Sequence, residues 1–87
     1  MIVKAAVKVL DLRQNREICI PCMRHCDAFH ILHELGYRKN TDYKELAQGF
    51  LDEHDIFYDR VAAMRHAIEC RQITNPESTS LFSEDLW

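Results

Sequence analysis

The chain has 87 residues, 47% of them apolar and 29% charged, with a formal net charge of −3. That make-up fits one ordinary globular domain, residues 1–87, and its slight acidity excludes a non-specific binder of duplex nucleic acid, which needs a basic excess. No apolar run is long enough to span a bilayer and residues 1–7 lack the features of a secretory signal, so the expected location is the cytoplasm, with the four cysteines reduced. A domain this small buries only a little over ~60% of the surface of its unfolded chain, which makes association into oligomers an expected source of extra stability.

Residues 2–10 alternate as a half-buried strand: Val3, Ala5, Val7 and Val9 share an apolar face, and Ile2, Lys4, Ala6, Lys8 and Leu10 share the other. Residues 11–16 read as a polar turn. Glu17-Ile18-Cys19-Ile20 returns as a second strand, closed by Pro21, so the two form a hairpin. Residues 24–35 carry a helical stripe of Phe29 and Leu32, joined less strictly by Cys26, Ala28 and Leu35, and Gly36 stops the helix. Residues 37–46 are polar and aperiodic, the pattern of a loop. Gln48-Gly49-Phe50-Leu51 is a third strand, Glu53-His54-Asp55 a turn and Ile56-Phe57-Tyr58 a short fourth strand. Asp59 is placed as the N-cap of a second helix that runs to about Gln72, with Val61, Met64, Ala67 and Ile68 as its apolar face. Residues 73–79, with Asn75-Pro76, form a surface loop. The final stretch holds two apolar pairs, Leu81-Phe82 and Leu86-Trp87, expected to pack back on the domain or on a neighbouring subunit, and Ser83-Glu84-Asp85 can start one more helical turn. The order β-β-α-β-β-α predicts an α+β fold: a small antiparallel sheet, two helices and an apolar C-terminal tail.

Three constellations bear on chemistry. Cys19, Cys22, His25, Cys26, His30 and His33 crowd one segment, and Cys19-Ile20-Pro21-Cys22 has the spacing of half a zinc site. No second knuckle completes it, so buried thiols and solvated imidazoles are the expected reading and no metal or other cofactor is called for. Arg24-His25 and Arg60 stand at the two helix starts. Free N–H groups and the helix dipole favour anions there, and the Arg fork matches phosphate oxygens, against the alternative of ordinary solvated side chains. In Gln48-Gly49-Phe50 the glycine permits a close approach, and Phe50 either stacks on a base or fills the core behind a bulge. No nucleophile–base pair, phosphate-cradling loop or paired-carboxylate motif is present, so no enzymatic activity is expected.

Taken in order, Lys4-Ala5-Ala6, Arg24-His25, Gln48-Gly49-Phe50, Phe57-Tyr58-Asp59-Arg60, Ala62-Ala63 and residues 80–87 resemble a family of small bacteriophage proteins. The branch with a known function is the first-described phage inhibitor of Thoeris defence. The resemblance implies a sponge, not an enzyme. Such proteins sequester the cyclic ADP-ribose isomers made by bacterial TIR enzymes, and some also take the cyclic oligonucleotides of CBASS defence. They assemble as homodimers, some as hexameric trimers of dimers, in the host cytoplasm. On that reading Phe50 stacks on adenine and Asp59 accepts from ribose hydroxyls or the adenine amine. Arg60, Arg71 or Gln72 hold phosphates, and Arg24 with His25 forms a second anion site. Arg71-Gln72 stands where the family has Gly-Gln, and the Cys/His-rich segment is not shared. Two other readings stay open: a protein–protein inhibitor of a bacterial defence complex acting through its acidic surface, and a small zinc-binding module.

Overall fold

The computed structural model describes all of residues 1–87. Four strands, β1 (Ile2–Asp11), β2 (Arg16–Cys22), β3 (Tyr43–Asp52) and β4 (Phe57–Asp59), form one antiparallel sheet in the order β2-β1-β3-β4. Two helices, α1 (His25–Glu34) and α2 (Arg60–Glu69), and a 3₁₀ turn at Ser83–Asp85 complete the expected β-β-α-β-β-α order and the α+β plan. Ala5, Val7 and Val9 of β1 face the helices. Val7 and Val9 pack with Ala28 and Leu32 of α1 and with Tyr43, while Ala5 and Phe50 pack with Ala63, Met64, Ala67 and Leu81. The alanines at 63 and 67 are wholly buried, and their small side chains let α2 lie close on the sheet.

Both turns between hairpin strands are pinned by buried aspartates at strand ends. Asp11 accepts from the main-chain N–H of Arg13 at 2.9 Å and from the Tyr37 hydroxyl at 3.3 Å. Asp52 accepts from the N–H groups of His54 at 2.8 Å and Ile56 at 3.1 Å and from the Tyr58 hydroxyl at 2.9 Å. Burial alone pushes the Asp52 carboxyl up, but these three donors together outweigh it and hold the group below its ordinary range.

Several local readings are corrected. Val3 does not share the apolar face of β1: it is 41% exposed, while Ile2 is buried in the core. The pairing of β1 with β3 slips between Ile2 and Lys4, leaving Val3 as the extra residue of a bulge, and one extra residue reverses the faces. Residues 43–46 belong to β3 rather than a loop. A second slip between Lys8 and Val9 leaves Leu46 without a partner in the register, which spoils the alternation a strand would display. β2 continues through Pro21 to Cys22, tolerated because β2 is an edge strand. Of the expected α2 face Met64 and Ala67 are buried, but Val61 and Ile68 are exposed and Ala63 is buried with the other two. The same holds for α1, whose buried residues are His25, Ala28 and Leu32, while Cys26 and Leu35 face outward.

Candidate ligand-binding site

Cys22 pairs with Ala5, and Asp59 pairs with Gly49, which itself pairs with Ala6. β2 and β4 therefore end at the same level of the sheet, and α1 and α2 begin side by side. The two candidate anion positions of the sequence, at Arg24-His25 and at Arg60, are one place. A cleft of about 460 Å³ opens there, lined by Arg24, His25, Cys26, Arg60, Phe82, Ser83 and Glu84. That volume lies within the range of small-molecule pockets.

His25 is buried at the floor. Its Nε2 lies 2.7 Å from the Gly49 carbonyl, which can only accept, so Nε2 carries the proton. Nδ1 is then an acceptor, and it faces the Arg60 Nη2 at 3.5 Å. Burial first, and the charge of Arg60 in addition, lower the pKa of the imidazole against the opposing Gly49 carbonyl, so the ring is neutral at physiological pH. Its edge meets Phe50 in a T-shaped contact at 5.1 Å. Arg60 donates from Nη1 to the Leu81 carbonyl at 2.9 Å and from Nη2 to Gln48 Oε1 at 2.6 Å, and its guanidinium lies over the Phe82 ring at 4.7 Å. Arg24 donates from Nη2 to the main-chain oxygen of Trp87, while its Nη1 is buried with no partner. The Glu84 carboxyl lies below its ordinary range, held there first by its own main-chain N–H and also by the charge of Arg24. With His25 neutral, the charged side chains lining the cleft are two guanidinium groups and one carboxylate, in a chain that is acidic overall.

Of the sequence-predicted residues, Arg24, His25 and Arg60 come together, and Asp59 stands beside them as the N-cap of α2, accepting from the Ala62 N–H at 2.8 Å. The stacking role expected of Phe50 does not survive: its ring is wholly buried in the core and offers no face to a base. Gln72 is also committed, since its side-chain amide accepts from the Ile2 N–H at 2.9 Å and donates to the Ile2 carbonyl at 2.7 Å. Arg71 is exposed at the far end of α2, at φ 60°, where it turns the chain out of the helix. Ten helical residues put it about 15 Å from Arg60, so neither Arg71 nor Gln72 reaches the cleft. The glycine of Gln48-Gly49-Phe50 receives no ligand: the Phe57 ring and the Tyr58 carbonyl fill the space a side chain would need. Phe82, Ser83 and Glu84 line the cleft and Gln48 holds Arg60 at its edge, and none of the four stands among the ligand-binding residues expected from the sequence. Their signal lay in the grouped motifs, because Arg24-His25, Gln48-Gly49-Phe50, Arg60 and residues 80–87 all meet in this one network. Cys19 and Cys22 lie on a strand three residues apart and so point to opposite faces, and no group of three or more His, Cys, Asp or Glu side chains is placed to hold a metal ion.

The fold and cleft define a small α+β domain with an arginine-lined pocket at two helix starts. The chain belongs to the family described as phage T4 y16D protein, whose sequence model matches residues 1–87. It is thus a bacteriophage protein of that family. No curated protein and no solved structure matches the chain. No helix is long and apolar enough to cross a membrane.

Proposed function

We propose that the chain captures a small phosphorylated ligand, a cyclic ADP-ribose isomer or a cyclic oligonucleotide immune signal, and holds it without cleaving it, as a phage anti-defence sponge in the host cytoplasm. The observation that carries this reading is the meeting of Arg24 and Arg60 at two helix starts, with one Arg24 nitrogen buried and lacking an acceptor. A phosphate oxygen is the acceptor that site accommodates best, by charge and by the planar fork. Phe82, 44% exposed and already stacked on Arg60, takes over as the aromatic platform for a base. His25 supports binding over turnover: one ring nitrogen is bonded to a carbonyl and the other faces a guanidinium, so the imidazole is not free to act as a base. Assembly into a homodimer or larger homo-oligomer is part of the proposal, and the exposed Ile31 and Leu35 on α1, one turn apart, offer an apolar contact for it.

Native mass spectrometry of protein purified from cells with active TIR signalling reads ligand and oligomer together. Calorimetry should then show that Phe82→Ala loses about 1–3 kcal/mol and Arg24→Gln about 2–5 kcal/mol of binding energy, with the released ligand intact by chromatography. A wild type that binds none of a panel of cyclic ADP-ribose isomers and cyclic di- and trinucleotides removes the sponge reading. A protein partner is then the better reading. A second groove of about 540 Å³ favours it, with Met64, Ile73 and Phe82 as its apolar floor and Glu77 and Asp85 at its rim.

A further inference from the structure

The groups that make the cleft attractive to an anion already hold the chain's own tail. Arg60 donates to the Leu81 carbonyl, and its own carbonyl accepts from the Leu81 N–H at 2.9 Å. Arg24 donates to the main-chain oxygen of Trp87. Residues 80–87 therefore run from one guanidinium to the other across the cleft. Leu81 anchors the near end in the core; beyond it Ser83 is buried, Leu86 is half-buried against the core, and Phe82, Glu84, Asp85 and Trp87 are exposed. Residues 73–80, which lead in from α2, contain no helix or strand, and 74–79 are exposed. The tail beyond Leu81 can thus leave without breaking a sheet or helix bond.

We propose that residues 80–87 are a strap that satisfies the anion-holding side chains with main-chain oxygens, and that a phosphorylated ligand displaces it from Arg24. The ligand half of this rests on the cleft reading above; the docking of the strap does not. Two features favour the exchange. The Arg24 Nη1, without a partner while the strap is docked, gains one. The strap also carries Glu84 out of the cleft, removing the one carboxylate that opposes an anion there.

Trp87 is the chain's single tryptophan, so the full chain reports its own strap. The test is acrylamide quenching of Trp87 fluorescence with and without inorganic pyrophosphate at constant ionic strength, paired with calorimetry. Trp87 is 37% exposed when docked, so full release raises its quenching constant roughly two- to threefold. Leu86→Ala, which loosens the strap without touching the cleft, should raise quenching in the absence of pyrophosphate and tighten pyrophosphate binding. Arg24→Gln should also raise quenching without pyrophosphate while far-UV circular dichroism stays unchanged. Pyrophosphate binding with Trp87 equally shielded, and with the same affinity in Leu86→Ala, would overturn the strap and leave the cleft reading standing. No pyrophosphate binding to either wild type or Leu86→Ala would overturn both.

Discussion

Replacing Gly49 with alanine tests the arrangement that aims α2 at the cleft. A Cβ on Gly49 would lie 2.1 Å from the Tyr58 carbonyl oxygen and 2.5 Å from the Phe57 ring. The nearest obstacle is main chain, so it cannot rotate aside; it must retreat by roughly 1.3 Å to reach ordinary contact. β4 is only three residues long and pairs through Gly49, Phe50 and Leu51, so the retreat unpairs much of it. Overpacking contributes about 1–3 kcal/mol and disturbance of the Asp59 cap about 1 kcal/mol, for a loss of about 2–4 kcal/mol. In a domain of this size that lowers the melting temperature by something on the order of 10–30 °C. Thermal melts followed by far-UV circular dichroism measure it. Two controls sharpen the reasoning. Gly49→Ala combined with Phe57→Ala should not recover stability, because the carbonyl remains. Gly36→Ala meets no atom within 4 Å but sits at φ 82°, so backbone strain alone makes it cost only about 1 kcal/mol. A Gly49→Ala protein that melts within a few degrees of wild type would refute the register of β3 against β4.

Three further outcomes are expected. His25 has a lowered pKa in the folded chain, so between that value and about 6.5 the unfolded chain binds the extra proton. Stability is therefore full above about pH 6.5 and declines as pH falls toward the folded value; urea melts at pH 7.5 and 5.5 should show the decline, and His25→Gln, an uncharged replacement, should show less of it, whereas an equal decline refutes the assignment. Arg71→Gly should be neutral or raise stability by up to about 1 kcal/mol, because glycine occupies this left-handed position without strain; the variant should also keep wild-type ligand affinity, and a calorimetric loss would restore Arg71 to the site. Burial pushes the Cys22 thiol up to about 11, leaving roughly a thousandth of it as thiolate at pH 8; mass spectrometry after timed alkylation should find Cys22 modified more slowly than the exposed Cys26 and Cys70, and equal rates would contradict its packing.

The parts of the fold governed by local chemistry were legible in the sequence. The β1–β2 hairpin, both helices, the Gly36 stop and the Asp59 cap all follow from periodicity and cap residues a few positions apart. What stayed hidden depends on partners distant in the chain. The bulge at Val3 exists only against β3, and it decides which of Ile2 and Val3 is core. Residues 43–46 look like a loop because Lys44, Glu45 and Leu46 are exposed on the sheet. Phe50 and Phe82 exchanged roles because burial of an aromatic is fixed by packing, not by its neighbours in sequence. The site itself was half visible: arginines at helix starts could be named, but that two helix starts coincide is a matter of strand register. In the sequence Gln72 reads as a polar group free for a ligand, but it is spent on the main chain of Ile2.

The placement of β1 and β3 at the middle of the sheet also sets an order of events in time. The hairpins β1–β2 and β3–β4 close over short turns, but the central pair joins residues as far apart as Ile2 and Asp52. Closing that long loop is the slow step, because its entropy is lost before its contacts are gained. Core substitutions at Ala5 or Phe50 should therefore slow refolding. Substitutions in the tail, which docks on a surface the finished sheet provides, should leave refolding unchanged and quicken unfolding alone. A nascent chain cannot commit to this fold until β3 has been made, so the first half waits on the second, and the tail fastens last.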